Sequence, residues 1–258
     1  MLGPRAVTVT ALAGLAEIAP GDDLAAMIAT AASPTDELGG LRDGDVLVIA
    51  HKVVSKAEGR IRLLSEVQPG ESATALAQEL GKDARHVQVV LDESRQVLRA
   101  AHGVLISVTP HGFVCANAGV DASNVRGDDA VVLLPADPDS SARALRDRLR
   151  ELLGAAPAVV ITDSFGRAWR HGQADVAIGC AGVGPLEDWR GRTDAFGREL
   201  NATWIAIADE LAAAADLART KDGSAPVVVI RGAERHVTTE HGPGVAAMIR
   251  PESEDLFR

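Results

Sequence analysis

The sequence predicts an α+β fold with mixed or antiparallel sheets and flanking helices. Short apolar runs typical of strands occur between amphipathic helices, but without the regular β–α–β order of a doubly wound fold. Apolar runs at 104–108 and 112–117 flank the Pro110-His111-Gly112 turn, as the two strands of a β-hairpin do. The chain has no internal repeat and no low-complexity linker, so we expect one domain over residues 1–258, with no clear signal for a subdomain boundary.

The individual elements follow in order from local patterns. Pro20-Gly21-Asp22-Asp23 provides a turn and an N-cap for a first helix that ends near Ala32. Later helices are expected where apolar residues recur at helical spacing, over 73–80, 140–153 and 202–218. Strands are expected at the apolar runs 7–12, 46–54, 104–108, 112–117, 131–134, 158–161, 176–181 and 227–230. Residues 87–91 and 96–98 are expected to be extended or mixed.

The composition excludes several classes of protein. A net charge of -10 provides no basic stripe for a nucleic acid, although a local cluster of cations can still bind a small anion. The two cysteines, Cys115 and Cys180, lie in apolar runs, which indicates buried thiols and excludes a disulfide framework or zinc site by number. No run is long enough to span a bilayer and no secretory signal opens the chain, so we expect a cytoplasmic protein with no membrane partner.

Two aspartates follow strand-like runs and precede small or hydroxyl-bearing residues. Asp121 lies in Asn117-Ala-Gly-Val-Asp-Ala-Ser-Asn124, and Asp163 lies in Thr162-Asp-Ser-Phe-Gly-Arg167. A carboxylate at a strand end, with a hydroxyl or carboxamide close by, is typical of sites for Mg²⁺ or Mn²⁺, which prefer oxygen ligands. One such aspartate alone is better explained as a turn cap. Two in one chain, together with Lys56, favour a metal site.

Several basic residues are candidates for binding an anion. Lys56 is expected in a loop directly after a buried strand, where its ammonium group can reach phosphate oxygens; a solvated loop lysine is the alternative. Segment 219–226 combines two cations, two hydroxyls and a glycine, although cations and glycine are also typical of a plain helix C-terminus. Arg167, Arg170 and His171 can bind an anionic substrate or form surface ion pairs.

Taken in order, the motifs resemble those of the coenzyme F420-0:L-glutamate ligase family, also called F420 gamma-glutamyl ligases. Four of them are Gly14-Leu-Ala-Glu-Ile-Ala-Pro-Gly-Asp-Asp-Leu24, Val53-Val-Ser-Lys-Ala-Glu-Gly-Arg60, Asn117-Ala-Gly-Val-Asp-Ala-Ser-Asn124 and Thr162-Asp-Ser-Phe-Gly-Arg167. A fifth, Ala208-Asp-Glu-Leu-Ala-Ala-Ala-Ala-Asp-Leu217, is followed by Lys221-Asp-Gly223 and also matches. The resemblance extends from about Val7 to Arg258.

The resemblance implies a GTP-dependent ligase that needs Mg²⁺ or Mn²⁺ at two sites and is helped by K⁺. It also implies a two-part fold that forms an intertwined homodimer. The metal ligands would be Asp121, Asp163 and Ser164, with Lys56 joining the two aspartates in catalysis. The GTP contacts would be Leu15, Ala16, Glu17, Ile18, His51, Lys52, Lys56, Asn124, Arg219, Thr220, Lys221, Asp222, Gly223, Ser224, Ala225 and Pro226. Some relatives carry a further C-terminal nitroreductase-like domain, which we do not expect in this chain.

The substrates that the resemblance implies are F420-0, L-glutamate and GTP. Transfer of the GTP γ-phosphoryl group to a carboxylate of F420-0 would give an acyl phosphate, which the amine of glutamate would then displace; further γ-linked glutamates could follow. Two alternatives stay open. One is a ligase of the same mechanism that acts on another carboxylate, such as a folate. The other is a non-catalytic nucleotide-binding module, against which the paired aspartates and Lys56 argue.

Overall fold

The computed structural model describes residues 6–33, 38–123, 129–219 and 225–256. Its helices are α1 (Leu24–Ala31), α2 (His51–Ala57), α3 (Glu71–Leu80), α4 (Ala84–Asp92), α5 (Pro138–Leu153) and α6 (Ile207–Asp216). Its strands are β1 (Thr8–Ala11), β2 (Val46–Ala50), β3 (Ile61–Leu63), β4 (Gln96–Ala101), β5 (Val104–Val108), β6 (Val114–Ala116), β7 (Ala130–Val132), β8 (Ala158–Arg167), β9 (Arg170–Ala181), β10 (Glu187–Asp188), β11 (Trp204–Ile205) and β12 (Val227–Arg231).

A five-stranded sheet in the order β1-β12-β2-β8-β9 forms the centre of the fold. β2 and β8 are parallel, whereas the other neighbouring pairs are antiparallel. Residues 46–49, 158–161 and 227–230 are almost fully buried, which explains why these runs are continuously apolar rather than alternating. Helices α5 and α6 pack on β8 and β9, and α1 packs on α5. The predicted α+β class with mixed and antiparallel sheets is confirmed.

A second, smaller hydrophobic cluster forms around α3, α4 and the three-stranded antiparallel sheet β4-β5-β6. Val87, Leu105 and Val131 are fully buried in it. The antiparallel β5–β6 pair confirms the predicted hairpin around residues 110–112. The division of the chain into two parts and the intertwined dimer stay predictions.

The expected continuation of β2 through residue 54 is wrong, because the strand ends at Ala50 and residues 51–57 form α2. The neighbouring strand β12 begins only at Val227, which pairs with Ile49, so residues after Ala50 have no strand partner on that side. Val53 and Val54 are instead buried as residues of helix α2. Tertiary burial thus overrides the strand preference of β-branched residues, and position 56 lies in the last turn of a helix rather than in a loop.

Residues 87–91, expected to be extended or mixed, lie in α4. Asp83 caps this helix, since its side chain accepts a hydrogen bond from the N–H of Arg85 (2.8 Å). The valines of the segment favour a strand by themselves, but packing against the second cluster fixes them in a helix. Residues 96–98 are extended, as part of β4.

β8 and β9 form a long antiparallel hairpin, in which β8 continues past Asp163 to Arg167. The expectation that Asp163 stands at a strand end is therefore wrong. The extension is polar because its side chains are paired across the hairpin: the Ser164 hydroxyl donates to Asp175 Oδ1 (2.6 Å). Hydrophobic patterning detects only the buried halves of the two strands, at 158–161 and 176–181.

The last helix is shorter than the 202–218 predicted, because residues 204–205 pair with β10 as the strand β11 before α6 begins. Within the described ranges, no helix combines the length and the apolar character needed to cross a membrane.

Candidate active site

One edge of the central sheet brings together the segments that carry the predicted site. β2 ends there at Ala50, whose neighbour on β8 is Thr162. β12 begins at the same edge, where the N–H of Ala50 donates to the carbonyl oxygen of Pro226 (2.9 Å). The start of α2, the middle of β8 and the segment before β12 therefore meet at this edge, which we call the site edge.

Asp163 lies beside the first residue of α2. Its Oδ1 atom is 3.3 Å from Nε2 of His51, whose side chain is buried. The Nδ1 atom of the same imidazole lies 3.3 Å from the Ser55 hydroxyl, one turn along the helix. The contact with Asp163 is not aligned as a hydrogen bond, so Nε2 has no hydrogen-bond partner within the described part of the chain. Buried polar atoms of this kind are typical of sites that a ligand or ion completes.

Asp121 lies beside the second residue of α2. The Lys52 ammonium is 2.7 Å from Oδ2 of this aspartate and donates to the Ser123 hydroxyl (2.6 Å). Burial opposes the charged form of Asp121, but hydrogen bonds from the Lys52 ammonium and the Ser123 N–H outweigh it and lower the pKa of the carboxyl. Because His51 and Lys52 are adjacent, the start of α2 holds both aspartates at the site edge.

The turn before Asp121 explains the small residues of its motif. Asn117 and Ala118 have positive φ angles, and Gly119 follows with a φ of 72°. A Cβ atom on Gly119 would lie 2.6 Å from the Leu134 side chain, so glycine is required by both conformation and space. Asp121 itself exchanges two backbone hydrogen bonds with Val132. This pairing fixes the aspartate against β7.

Lys56 connects α2 to the segment that precedes α1. Its ammonium donates to Glu17 Oε1 (2.7 Å) and is largely buried. Ile18 is buried in the main core, and Leu15 packs against that core, whereas Ala16 is exposed. The structure therefore brings the predicted nucleotide segment 15–18 next to the predicted catalytic lysine.

A buried polar cluster lies under the site edge. Asp175 accepts hydrogen bonds from the Thr162 and Ser164 hydroxyls (3.1 and 2.6 Å) and pairs with Arg219 (2.7 Å). Arg219 also donates to the carbonyl oxygen of Val48 (2.7 Å). Neighbouring residues of a strand point to opposite faces, so Asp163 and Ser164 extend from opposite faces of the hairpin. Sequence analysis missed Thr162 and Asp175, because their roles depend on pairing across the hairpin.

Some predicted residues lie outside the described residues: Asn124, Thr220, Lys221, Asp222, Gly223 and Ser224. Ala225 and Pro226 are described and lie directly before β12. Arg167, Arg170 and His171 form the exposed tip of the β8–β9 hairpin, where Arg167 donates to the carbonyl oxygen of His171 (2.7 Å). Arg167 is four strand residues beyond Asp163, roughly 13 Å away along the chain.

The side chains at the site edge suit a hard divalent cation. Asp121 and Asp163 supply carboxylate oxygens, and the Ser123 hydroxyl shares the Lys52 ammonium with the first of them. These oxygen donors are of the kind that Mg²⁺ and Mn²⁺ prefer. Among the described residues, no three His, Cys, Asp or Glu side chains cluster into a metal site of their own. Any ion here would therefore share its ligands with water or with a substrate phosphate, as Mg²⁺ commonly does.

Comparison with known proteins identifies the family. The sequence profile of a family described as F420-0:Gamma-glutamyl ligase matches residues 14–232. A coenzyme F420:L-glutamate ligase from Methanopyrus kandleri is 47% identical over 244 residues, covering 94% of each chain. Proteins of the same name from Methanothermobacter thermautotrophicus and Archaeoglobus fulgidus are 42% and 44% identical over 253 residues, each covering at least 96% of both chains. The chain therefore belongs to the F420-0:gamma-glutamyl ligase family.

Proposed function

We propose that this protein joins L-glutamate to the carboxylate of coenzyme F420-0 at the expense of GTP. The observation that carries the proposal is the convergence of Asp121 and Asp163 on two adjacent residues of α2, in a chain that belongs to this ligase family. A binding module would not need two carboxylates placed against adjacent residues of α2 at one sheet edge. An acid–amino-acid ligase does need such a site, because it must stabilise the negative charge of the phosphoryl group during its transfer.

The proposed reaction has two steps. An oxygen of the acceptor carboxylate attacks the γ-phosphorus of GTP, the bond to the β-phosphate breaks, and GDP leaves with an acyl phosphate formed. The ammonium group of glutamate then loses a proton, and its amine attacks the acyl carbon. A C–N bond forms, the C–O bond to phosphate breaks, and inorganic phosphate leaves. Phosphorylation is needed because an unactivated carboxylate would have to expel an oxide or hydroxide.

The residues at the site edge act mainly by position and charge. A bound Mg²⁺ or Mn²⁺ would neutralise charge on the transferring phosphoryl group, and Asp121 and Asp163 are the residues that would hold it. Lys56, kept in place by Glu17, presents an ammonium group to the phosphate oxygens. Lys52 pairs with Asp121 and holds it in position before substrate arrives. We also propose that K⁺ assists nucleotide binding, as the family resemblance implies.

The direct test combines a nucleotide assay with mass spectrometry. We expect the purified protein, incubated with F420-0, L-glutamate, GTP and Mn²⁺, to release GDP and to raise the mass of F420-0 by one or more glutamyl units. Replacing GTP with ATP tests the nucleotide preference, and adding a folate as competitor tests the acceptor. GTP hydrolysis without any mass change, with both Mg²⁺ and Mn²⁺, would contradict the proposal.

A further inference from the structure

A cavity of about 420 Å³ lies beside the site edge. It is bounded by the turn between β5 and β6, the outer part of the β8–β9 hairpin, the first turn of α6 and the segment 245–255. Its lining residues are Gly112, Phe113, Val114, Phe165, Val176, Ala177, Asp209, Val245, Met248, Ile249, Arg250 and Asp255. A volume of this size suits a small organic ligand, for which cavities of roughly 300–1,000 Å³ are usual.

The cavity begins next to a predicted catalytic residue. Phe165 stands two residues after Asp163 on β8, and alternate residues of a strand share a face of the sheet. Val176, which also lines the cavity, is the direct cross-strand partner of Asp163. A molecule in the cavity would therefore lie on the same face of the hairpin as the Asp163 carboxylate. Its near end would be about one side-chain row, roughly 7 Å, from that residue.

The lining is chemically suited to a planar aromatic system. Phe113 and Phe165 meet edge to face, with ring centroids 6.2 Å apart and planes at 70°. Met248 and Ile249 supply a flexible and a branched apolar surface from the opposite segment. Such rings and a thioether bind a flat ring system by stacking and dispersion.

Three charged residues, Asp209, Arg250 and Asp255, give this otherwise apolar cavity its polar positions. Asp209, at the start of α6, accepts a hydrogen bond from the N–H of Ala177 through Oδ1 (2.9 Å). Burial raises the pKa of this carboxyl, and the Ala177 N–H only partly offsets that effect. Among the described residues no Lys, Arg or His side chain forms an ion pair with Asp209, although Arg250 lines the same cavity. A ligand N–H group would meet this need for a hydrogen-bond donor.

We propose that this cavity holds the planar heteroaromatic end of the acceptor, stacked between Phe113, Phe165 and Met248, with a ring N–H donating to Asp209. The assignment rests on the proposed function, since a deazaflavin has such a ring and an imide N–H at its edge. The carboxylate-bearing tail of the acceptor then runs from the cavity along the hairpin to Asp163. The ring provides binding energy remote from the reacting carboxylate, which fixes that carboxylate for phosphorylation.

Steady-state kinetics on the full chain test the assignment with two variants. Met248→Trp fills the cavity from its partly exposed segment, and Phe165→Leu removes an aromatic face. We expect each to raise the KM for F420-0 by about 10-fold, as the loss of one stacking or shape contact predicts, with the KM for GTP within about 2-fold of wild type. The matched control for Met248→Trp is Ala247→Trp, which changes an exposed neighbouring residue that does not line the cavity. It should leave the KM for F420-0 unchanged.

Direct binding separates this assignment from the proposed function. F420-0 is titrated into each protein without GTP or glutamate, and binding is followed by equilibrium dialysis. If Met248→Trp binds F420-0 more weakly than wild type and Ala247→Trp does not, the assignment of the cavity to the acceptor ring is supported. This holds even if the wild-type protein forms no glutamyl product and the proposed function is wrong. An unchanged KM and unchanged binding in both cavity variants, or no binding to the wild type, would overturn it. Normal ligation with unchanged acceptor KM would overturn the cavity alone and leave the proposed function standing.

Discussion

The two aspartates at the site edge differ in how their charge is balanced. Asp121 is paired with the Lys52 ammonium, whereas Asp163 faces a buried imidazole nitrogen of His51 that makes no aligned hydrogen bond. Asp121 is therefore fixed before any ligand binds, and Asp163 is the residue whose surroundings are less complete.

The metal proposal predicts that Asp121→Asn and Asp163→Asn variants fold but lose turnover. Each change removes an anionic ligand while nearly preserving shape. We expect glutamyl transfer to fall by about 100-fold or more, which corresponds to the loss of roughly 3 kcal/mol of transition-state stabilisation. Turnover at limiting and saturating Mn²⁺, with circular dichroism for folding, measures this.

Asp194→Asn is the matched control for these two variants. Asp194 is a turn cap, since its Oδ1 accepts hydrogen bonds from the N–H groups of Phe196 and Arg198 (2.8 and 2.9 Å). A carboxamide can replace it with little loss, so turnover should stay near wild type. If Asp121→Asn or Asp163→Asn behaves like this control at limiting Mn²⁺, that aspartate is also only a turn cap.

The two thiols predict a loss of stability in alkali. Burial raises the pKa of Cys115 and of Cys180 to about 12, from 9.0. The folded thiols stay protonated while the unfolded ones ionise, so stability is complete below pH 9 and falls as the pH rises towards 12. Between pH 9 and pH 12, each thiol should lower the free energy of unfolding by about 1.4 kcal/mol per pH unit.

Urea unfolding at pH 8 and pH 10 checks this expectation. The Cys115→Ala/Cys180→Ala double variant removes both thiols and should lose less stability than wild type between the two pH values. Other groups also titrate there, so the difference between the two proteins is the quantity to compare. Equal losses in both would show that the thiols are not protected by folding.

Among the secondary-structure elements, α5 is tied to its surroundings by one buried carboxylate. Asp139, in the first turn of the helix, accepts hydrogen bonds from the N–H groups of Cys180, Val245 and Ala246 (2.8, 2.8 and 3.1 Å). Gly244 allows this approach, because a Cβ atom there would overlap the carboxylate. The contact joins α5 to β9 and to the segment that lines the cavity.

Replacing Asp139 with alanine should therefore destabilise the fold strongly. Two buried N–H groups and a partly buried third would lose their acceptor, which predicts a loss of about 3 kcal/mol in the free energy of unfolding. Asp139→Asn keeps an acceptor oxygen and should cost less. Urea denaturation with fluorescence detection measures both. Asp147→Ala, at an exposed position of the same helix, should change stability by about 0.5 kcal/mol or less; an Asp139→Ala effect of that size would contradict the role assigned to it.

At the scale of the whole molecule, several large apolar side chains are exposed on the hairpin and on the polar segment after it. Trp169, at the tip of the β8–β9 hairpin, is 82% exposed, and Phe196 is 93% exposed. Exposed aromatic residues of this size are often covered in an assembly. In the homodimer that the family resemblance implies, we expect a second copy of the chain to cover them.

We therefore expect the protein to be a homodimer whose activity falls on dissociation. Light scattering coupled to gel filtration, over a dilution series, measures the mass while the same samples are assayed for glutamyl transfer. Trp169→Lys should shift the equilibrium towards monomer, because it places a charge on the expected contact. A monomer that keeps full activity at every concentration would contradict the expectation.

The sequence by itself determined the fold class, the order of most elements and the family. Continuous apolar runs such as 158–161 and 227–230 identify buried strands, because strands that are buried on both faces are apolar at every position. This pattern can be recognised without knowing which strands pair. The Asn117-to-Asp121 motif can also be recognised from the sequence, because Gly119 is needed for a positive φ angle, which is a local property of the backbone. Local chemistry also identified Asp121, Asp163 and Lys56 as candidates.

Only the tertiary structure decided where those candidates lie and what surrounds them. Residues 51–57 form a helix at the point where β2 no longer has β12 as a partner on one side, and β12 is distant in the sequence. The network of Asp175 with Thr162, Ser164 and Arg219 depends on the register of the hairpin, and the cavity depends on the packing of four separate segments. These features arise from contacts between residues distant along the chain, and hydrophobic periodicity records only the burial of each segment by itself.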